Sequence, residues 1–115
     1  MAVQPSSLSG PEDERVDLVF GALADPTRRH LMELLAAEPG ATATGLAATM
    51  PISRQAVAKH LGALGGAGLV SSHRAGRETL YELRPEPLDE AAEWIARIGG
   101  EWEDRLARLK RLVEG

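Results

Sequence analysis

Apolar residues recur along the first half of the chain at the three- and four-residue spacing of amphipathic helices. Acidic residues alternate with an apolar stripe over residues 12–23, which predicts a first helix. Asp25-Pro26 starts a second helix, because Asp caps a helix and Pro is tolerated in its first turn. This helix ends near Pro39-Gly40, and Thr42 can cap a short third helix over residues 43–49.

The stretch 52–64 has the pattern of a helix with one face for a core and one face for another molecule. Ser53 is a good N-cap, since its hydroxyl can accept from free backbone N–H groups of the first turn. Inward positions are Val57, Leu61 and Leu64, and the outer face consists of Arg54, Gln55, Ala58, Lys59 and Gly62. Long polar side chains beside small ones are typical of a recognition helix for the DNA major groove. An ordinary amphipathic surface helix has the same spacing and stays open as the alternative.

From residue 69 onward the period becomes that of strands. Residues 69–74 and 78–83 flank Ala75-Gly76-Arg77, so they predict a β-hairpin with glycine at its tip. Arg74 and Arg77 lie at that tip. A cationic hairpin next to a recognition helix is a wing that reaches a minor groove or its phosphates, and a solvated turn that carries two arginines is the alternative.

A long last helix is predicted from Leu88 to about Val113, after Pro85 and Pro87. Its apolar residues repeat mostly at alternating spacings of three and four, which is a coiled-coil-like seam rather than the broader stripe of a helix on its own domain. The seam consists of Leu88, Ala91, Ile95, Ile98, Trp102, Leu106, Leu109 and Val113. Both tryptophans of the chain lie here, where large aromatic residues suit an interface core. The predicted dimer interface consists of Val16, Val19, Phe20, Trp94, Ile95, Ile98, Trp102, Leu106 and Leu109. Packing of this helix on its own domain is the alternative.

Together these elements predict a fold that is mainly α with a small β-hairpin (α+β), a winged helix-turn-helix with a long C-terminal helix. The 115 residues make one domain with a modest core of its own. We expect a disordered tail over residues 1–11, a DNA-binding domain over residues 12–115 and, within it, a dimerisation helix over residues 88–113.

The charge distribution favours a nucleic-acid partner although the net charge is −4. Residues 41–77 contain no Asp or Glu and carry four fixed positive charges, which are Arg54, Lys59, Arg74 and Arg77. Residues 1–40 hold seven acids and three bases, and residues 78–115 hold ten acids and six bases. The middle third is therefore a cationic block between acidic ones, and the electrostatic field at a surface is made by local charge.

Other function classes find little support in the sequence. The chain has no cysteine, no apolar run of membrane-spanning length and no secretion signal at its start, which fits the cytoplasm. His30, His60 and His73 lie on different predicted elements and form no ligand cluster, so we expect no metal and no cofactor. No nucleophile–base pair or phosphate loop indicates an enzyme.

Four motifs resemble those of the ArsR-type winged helix-turn-helix repressors of bacteria. They are Ala22-Leu-Ala-Asp-Pro-Thr-Arg-Arg29, Ile52-Ser-Arg-Gln-Ala-Val-Ala-Lys-His-Leu61, Ala67-Gly-Leu-Val70 and Gly76-Arg77. The resemblance spans roughly residues 15–113 and implies a homodimer that binds double-stranded operator DNA and blocks transcription. It implies that Ser53, Arg54, Gln55, Ala58 and Lys59 meet DNA from the recognition helix and Arg77 from the wing.

The sequence departs from the family where metal sensors bind their ions. The short helix carries Gly45-Leu-Ala-Ala-Thr49 in place of a Cys-x-Cys pair, and residues 88–115 contain no histidine. The chain therefore looks more like the metal-free branch of the family. A ligand-responsive sensor of the same fold, with an inducer that the sequence does not identify, is one alternative. A winged-helix module for protein partners is another, and Gly62, Gly65 and Gly66 are its main support.

Overall fold

The computed structural model describes residues 11–114, as five helices and one β-hairpin. In chain order they are α1 (Pro11–Leu23), α2 (Pro26–Ala37), α3 (Ala43–Ala47), α4 (Arg54–Gly66), β1 (Val70–Ala75), β2 (Glu78–Leu83) and α5 (Glu86–Glu114). The predicted fold class, mainly α with a small hairpin, is confirmed. The tail predicted for residues 1–11 lies outside the described residues except for residue 11, with which α1 begins.

Side-chain caps start the three central helices where the sequence places them. The capping oxygens of Asp25, Thr42 and Ser53 accept from the backbone N–H groups of Thr27 at 2.8 Å, Gly45 at 3.0 Å and Ala56 at 3.1 Å. The helix α3 is two residues shorter than predicted, because its last turn tightens. There the N–H of Thr49 donates to the carbonyl of Leu46, three residues back, at 3.2 Å.

One apolar core holds α4 against α1, α2 and the start of the hairpin. The largest fully buried side chains are Val19, Leu31, Leu35, Val57, Leu61, Leu64 and Leu69. The predicted inward face of α4 is thus confirmed, since all three of its members are among them. Burying that face leaves the opposite side of α4 in solvent, with its polar residues at fixed positions on a rigid helix.

The hairpin pairs β1 with β2 in antiparallel register, from Val70 opposite Leu83 to Ala75 opposite Glu78. Its loop has two residues, and Gly76 has a φ of +65° while Arg77 has a negative φ, as in a type II′ turn. Ala75, which the sequence suggested as part of the tip, belongs to β1. The outer edge of β2 meets the segment before α3 at an isolated bridge between Ala41 and Tyr81. There the N–H of Tyr81 donates to the carbonyl of Ala41 and the N–H of Gly40 donates to the carbonyl of Tyr81, each at 2.9 Å. The wing is therefore anchored beside α3.

The helix α5 leaves the domain and continues into solvent. At 29 residues it is about 43 Å long at 1.5 Å per residue. Its first turns lie on α1, where the rings of Phe20 and Trp94 meet edge to face at 5.6 Å and Arg15 Nε contacts Glu90 Oε2 at 3.0 Å. Every residue from 101 to 114 is exposed, and Gly99-Gly100 do not interrupt the helix. Among the described helices, none is long and apolar enough to cross a membrane.

Two residues of the predicted dimer interface are already buried inside the single chain. Val16 is 4% exposed and Val19 is 0% exposed in the single chain, and Val19 belongs to the cluster of buried residues that forms the core. Neither side chain has much surface left to offer to a second chain, so the dimer surface proposed below is drawn without them. Phe20, from the same helix, keeps 36% of its surface exposed and remains available.

A pair of alanine substitutions is expected to have opposite effects at the two glycines that flank the C-terminal end of α4. Gly68 has a φ of +75°, and a Cβ there would lie 3.4 Å from Pro87 Cγ, so Gly68→Ala should destabilise the fold by about 1–2 kcal/mol. Gly66 lies within α4 with open space around it, so Gly66→Ala should raise stability by up to about 1 kcal/mol. Urea unfolding measures both. Equal effects of the two substitutions would contradict the left-handed helix end at Gly68.

Candidate nucleic-acid interface

A groove of about 570 Å³ separates the outer face of α4 from the wing. Residues from α3 and its cap, from α4 and from both strands line it: Thr42, Ala43, Thr44, Arg54, Gln55, Ala58, Arg74, Arg77, Glu78, Thr79 and Tyr81. The groove is open to solvent along its length. Its polar side chains therefore face a common space that a long molecule can enter.

Three guanidinium groups converge on this groove from two different elements. Arg54 comes from the first turn of α4, and Arg74 and Arg77 come from the end of the wing. Within residues 11–114, none of the three has an ion-pair or hydrogen-bond partner, and Glu78 is the one carboxylate that lines the groove. Their donors are free for phosphate or for acceptor atoms on base edges, which guanidinium groups bind with two parallel hydrogen bonds.

Five of the seven sequence-predicted DNA contacts meet at this groove. They are Arg54, Gln55, Ala58, Arg74 and Arg77. Ser53 is exposed at the start of α4, where its hydroxyl accepts from the backbone of α4 itself. Lys59 is exposed one turn further along α4 and does not line the groove.

The sequence did not identify the contribution of α3 and β2 to the groove. Thr44 is exposed in the first turn of α3, and Tyr81 lies in β2 at the bridge to Ala41. In a helix-turn-helix the helix before the recognition helix crosses the DNA backbone, and this geometry could have indicated Thr44. Tyr81 carries no local signal, because its position depends on the long-range bridge.

The flank of α4 away from the wing is tied to the start of α2. The Nε atom of Arg28 donates to Nδ1 of His60 at 3.4 Å, and that same Nδ1 lies 3.9 Å from Oδ2 of Asp25. Partial desolvation raises the pKa of Asp25. Hydrogen bonds from the backbone N–H groups of Thr27 and Arg28 and the nearby charges of His60 and Arg28 outweigh it, so the pKa lies below its usual value.

The three histidines do not come together in the folded chain. His30 lies on α2, His60 on α4 and His73 on β1. Within the described part of the chain, no group of three or more His, Cys, Asp or Glu residues is close enough to hold a metal ion.

Comparison with known proteins places the central part of the chain in a described domain family. Residues 23–73 match a family described as a helix-turn-helix domain. The transcriptional repressor SdpR of Bacillus subtilis is 35% identical over 77 residues, which cover 67% of this chain and 84% of that protein. The HTH-type transcriptional regulator Rv2034 of Mycobacterium tuberculosis is 44% identical over 72 residues, which cover 63% of this chain and 66% of that protein.

A solved structure resembles the chain over nearly its whole length. It is an ArsR-like transcriptional regulator from Rhodococcus sp. RHA1, with 41% sequence identity and a TM-score of 0.76. The likeness covers 86% of this chain and 92% of that one.

Proposed function

Because the chain belongs to the ArsR family of winged helix-turn-helix transcriptional regulators, we propose that it acts as a homodimeric, sequence-specific repressor that occupies operator DNA. Members of this family are DNA-binding regulators of transcription and not enzymes. A repressor bound to an operator blocks the access of the transcription machinery to the promoter. Since a repressor has to reach chromosomal DNA, we place its action in the cytoplasm, without a metal or other cofactor.

One observation carries the DNA-binding mode, which is the convergence of Arg54, Arg74 and Arg77 on the groove between α4 and the wing. We propose that α4 lies in the major groove, where Arg54 and Gln55 reach base edges and Ala58 permits close approach. Lys59 and the wing arginines then bind phosphates on either side. Ser53 holds the first turn of α4 and presents its exposed oxygen at the same surface.

The dimer is proposed from the surface that α5 leaves uncovered. Ile95 is 54% exposed, Ile98 46%, Trp102 58%, Leu106 47% and Leu109 58%, and all five follow the predicted seam. Trp94 and Phe20 continue this surface onto α1. A symmetric pairing of two copies buries the seam on both, and it supplies the second recognition helix that an operator of two half-sites requires.

The salt dependence of DNA binding is expected to show whether the wing arginines, Arg74 and Arg77, contact phosphates. Arg74→Ala and Arg77→Ala should each make the plot of log affinity against log salt concentration less steep. The slope should change by about 1 for each phosphate contact that is lost, because fewer counterions are released on binding. Fluorescence anisotropy with a duplex from upstream of the protein's own gene measures this slope. Lys110→Ala is the matched control, since it removes an equal charge from α5, far along the chain from the groove.

The same titration tests the proposed function as a whole. The intact protein should prefer the upstream duplex over a scrambled duplex of equal length by at least about a thousandfold at physiological salt. Equal affinity for the two duplexes, with a slope that neither arginine changes, would overturn the assignment of this groove to DNA.

A further inference from the structure

We propose that His60 is a positioning residue that fixes the recognition helix α4 on the first turn of α2, and that it exchanges Arg28 for Asp25 as its partner when the imidazole is protonated. This inference rests on the proposed function, in which α4 reads DNA. It adds a residue that faces away from the groove and a pH-dependent control of operator recognition.

The geometry places one imidazole nitrogen between two partners of opposite charge. Nδ1 of His60 lies 3.4 Å from the Nε donor of Arg28 and 3.9 Å from the carboxylate oxygen Oδ2 of Asp25. The side chain of His60 is 22% exposed, so most of the imidazole is shielded from water. Asp25 is held in place independently, because its other oxygen, Oδ1, caps α2.

A single nitrogen cannot serve both partners in one protonation state. In the neutral imidazole, Nδ1 accepts from Arg28, so the proton resides on Nε2. In the imidazolium, Nδ1 carries a hydrogen that it can donate to Asp25, while the positive charge repels Arg28. Protonation therefore replaces one interhelical contact by the other.

This contact adds a directional restraint on α4 to the one that the core provides. Apolar packing of α4 on α2 is non-directional, whereas a hydrogen bond requires a particular distance and angle. His60 lies between the outward-facing Lys59 and the buried Leu61 on α4. A change of partner on this flank therefore acts on the helix that carries Arg54 and Gln55.

Other charged groups near the cluster belong to α1 and to α4 itself. Glu14 and Asp17 of α1 line a second groove together with Arg28. These carboxylates therefore face the same space as the guanidinium of Arg28. Lys59, next to His60 in the chain, is the nearest cation in sequence on α4.

The protein without DNA provides the first test, by nitrogen-detected NMR of the imidazole side chains. At pH 8 the spectrum of His60 should show the proton on Nε2, and Arg28→Ala should increase the population that carries it on Nδ1. Asp25→Asn keeps a good helix cap but removes the charge, so it should leave the neutral tautomer unchanged. A neutral His60 with its proton on Nδ1 in the wild-type protein would overturn the proposal.

Operator binding provides the second test, through the ratio of affinities for the operator and a scrambled duplex. This ratio cancels the general effect of pH on net charge. It should fall about fivefold from pH 8 to pH 6 in the wild type and in His30→Gln, whose histidine is exposed on α2. His60→Gln keeps an acceptor for Arg28 but does not titrate, so its ratio should stay constant.

His60→Leu completes the test, because it removes the acceptor while it preserves bulk. Its ratio at pH 8 should be about tenfold below that of the wild type, with a thermal unfolding midpoint that shows a folded protein. If His60→Leu has the same ratio of operator to scrambled-duplex affinity as the wild type at both pH 8 and pH 6, His60 does not position α4. If the wild type prefers no duplex, the proposed function fails, and the imidazole tautomer still decides whether the contact exists.

Discussion

Trp102→Ala is expected to raise the dissociation constant of the dimer by roughly a thousandfold. Truncation of a central aromatic anchor costs at least about 2 kcal/mol, and a two-fold symmetric interface contains the residue twice, so the loss is about 4 kcal/mol per dimer. The indole is available for this role, since it is 58% exposed in the single chain. Sedimentation equilibrium over a range of protein concentrations measures the change.

Leu112→Ala is the matched control for the dimer. Leu112 is an apolar residue of α5 that is 80% exposed but lies outside the predicted seam. Its removal should change the dimer dissociation constant by less than about fivefold. If the two substitutions have the same effect, the seam does not form the interface.

The double substitution Arg54→Ala/Gln55→Ala should lower operator affinity by about a thousandfold. Each base-specific interaction is worth about 1–3 kcal/mol, and in a dimer the substitutions remove it from both half-sites. Affinity for a scrambled duplex should fall much less, because that binding depends on phosphates and only one charge per chain is removed. Titration of both duplexes at one salt concentration separates these effects.

Lys110→Ala again supplies the comparison, since it removes one charge per chain on α5. It should leave the preference for the operator unchanged. An Arg54→Ala/Gln55→Ala variant that keeps the full preference would contradict the assignment of the outer face of α4 to base recognition.

The features that could be predicted from the sequence are those that depend on neighbours along the chain. The cap Ser53 needs only a few adjacent residues to be recognised, and it is present as predicted. The inward face of α4 follows in the same way from a period of 3.6. The hairpin was predicted because glycine at its tip and two alternating strands are local signals.

The features that could not be predicted depend on packing between distant segments. The burial of Val16 and Val19 inside one chain follows from how α1 lies on α2, α4 and α5, and an apolar stripe does not specify its partner. The contact between Arg28 and His60 joins residues 32 positions apart. Likewise, Tyr81 reaches the groove because β2 is bridged to Ala41.

The stoichiometry of the complex on DNA tests the central claim most directly. Sedimentation velocity of the full-length protein with a fluorescent operator duplex gives the mass of the species that moves with the DNA. We expect two chains bound to each operator duplex. We expect this complex to form at protein concentrations where the free protein is already a dimer. A complex with a single chain per duplex, formed with full operator preference, would contradict the dimeric repressor.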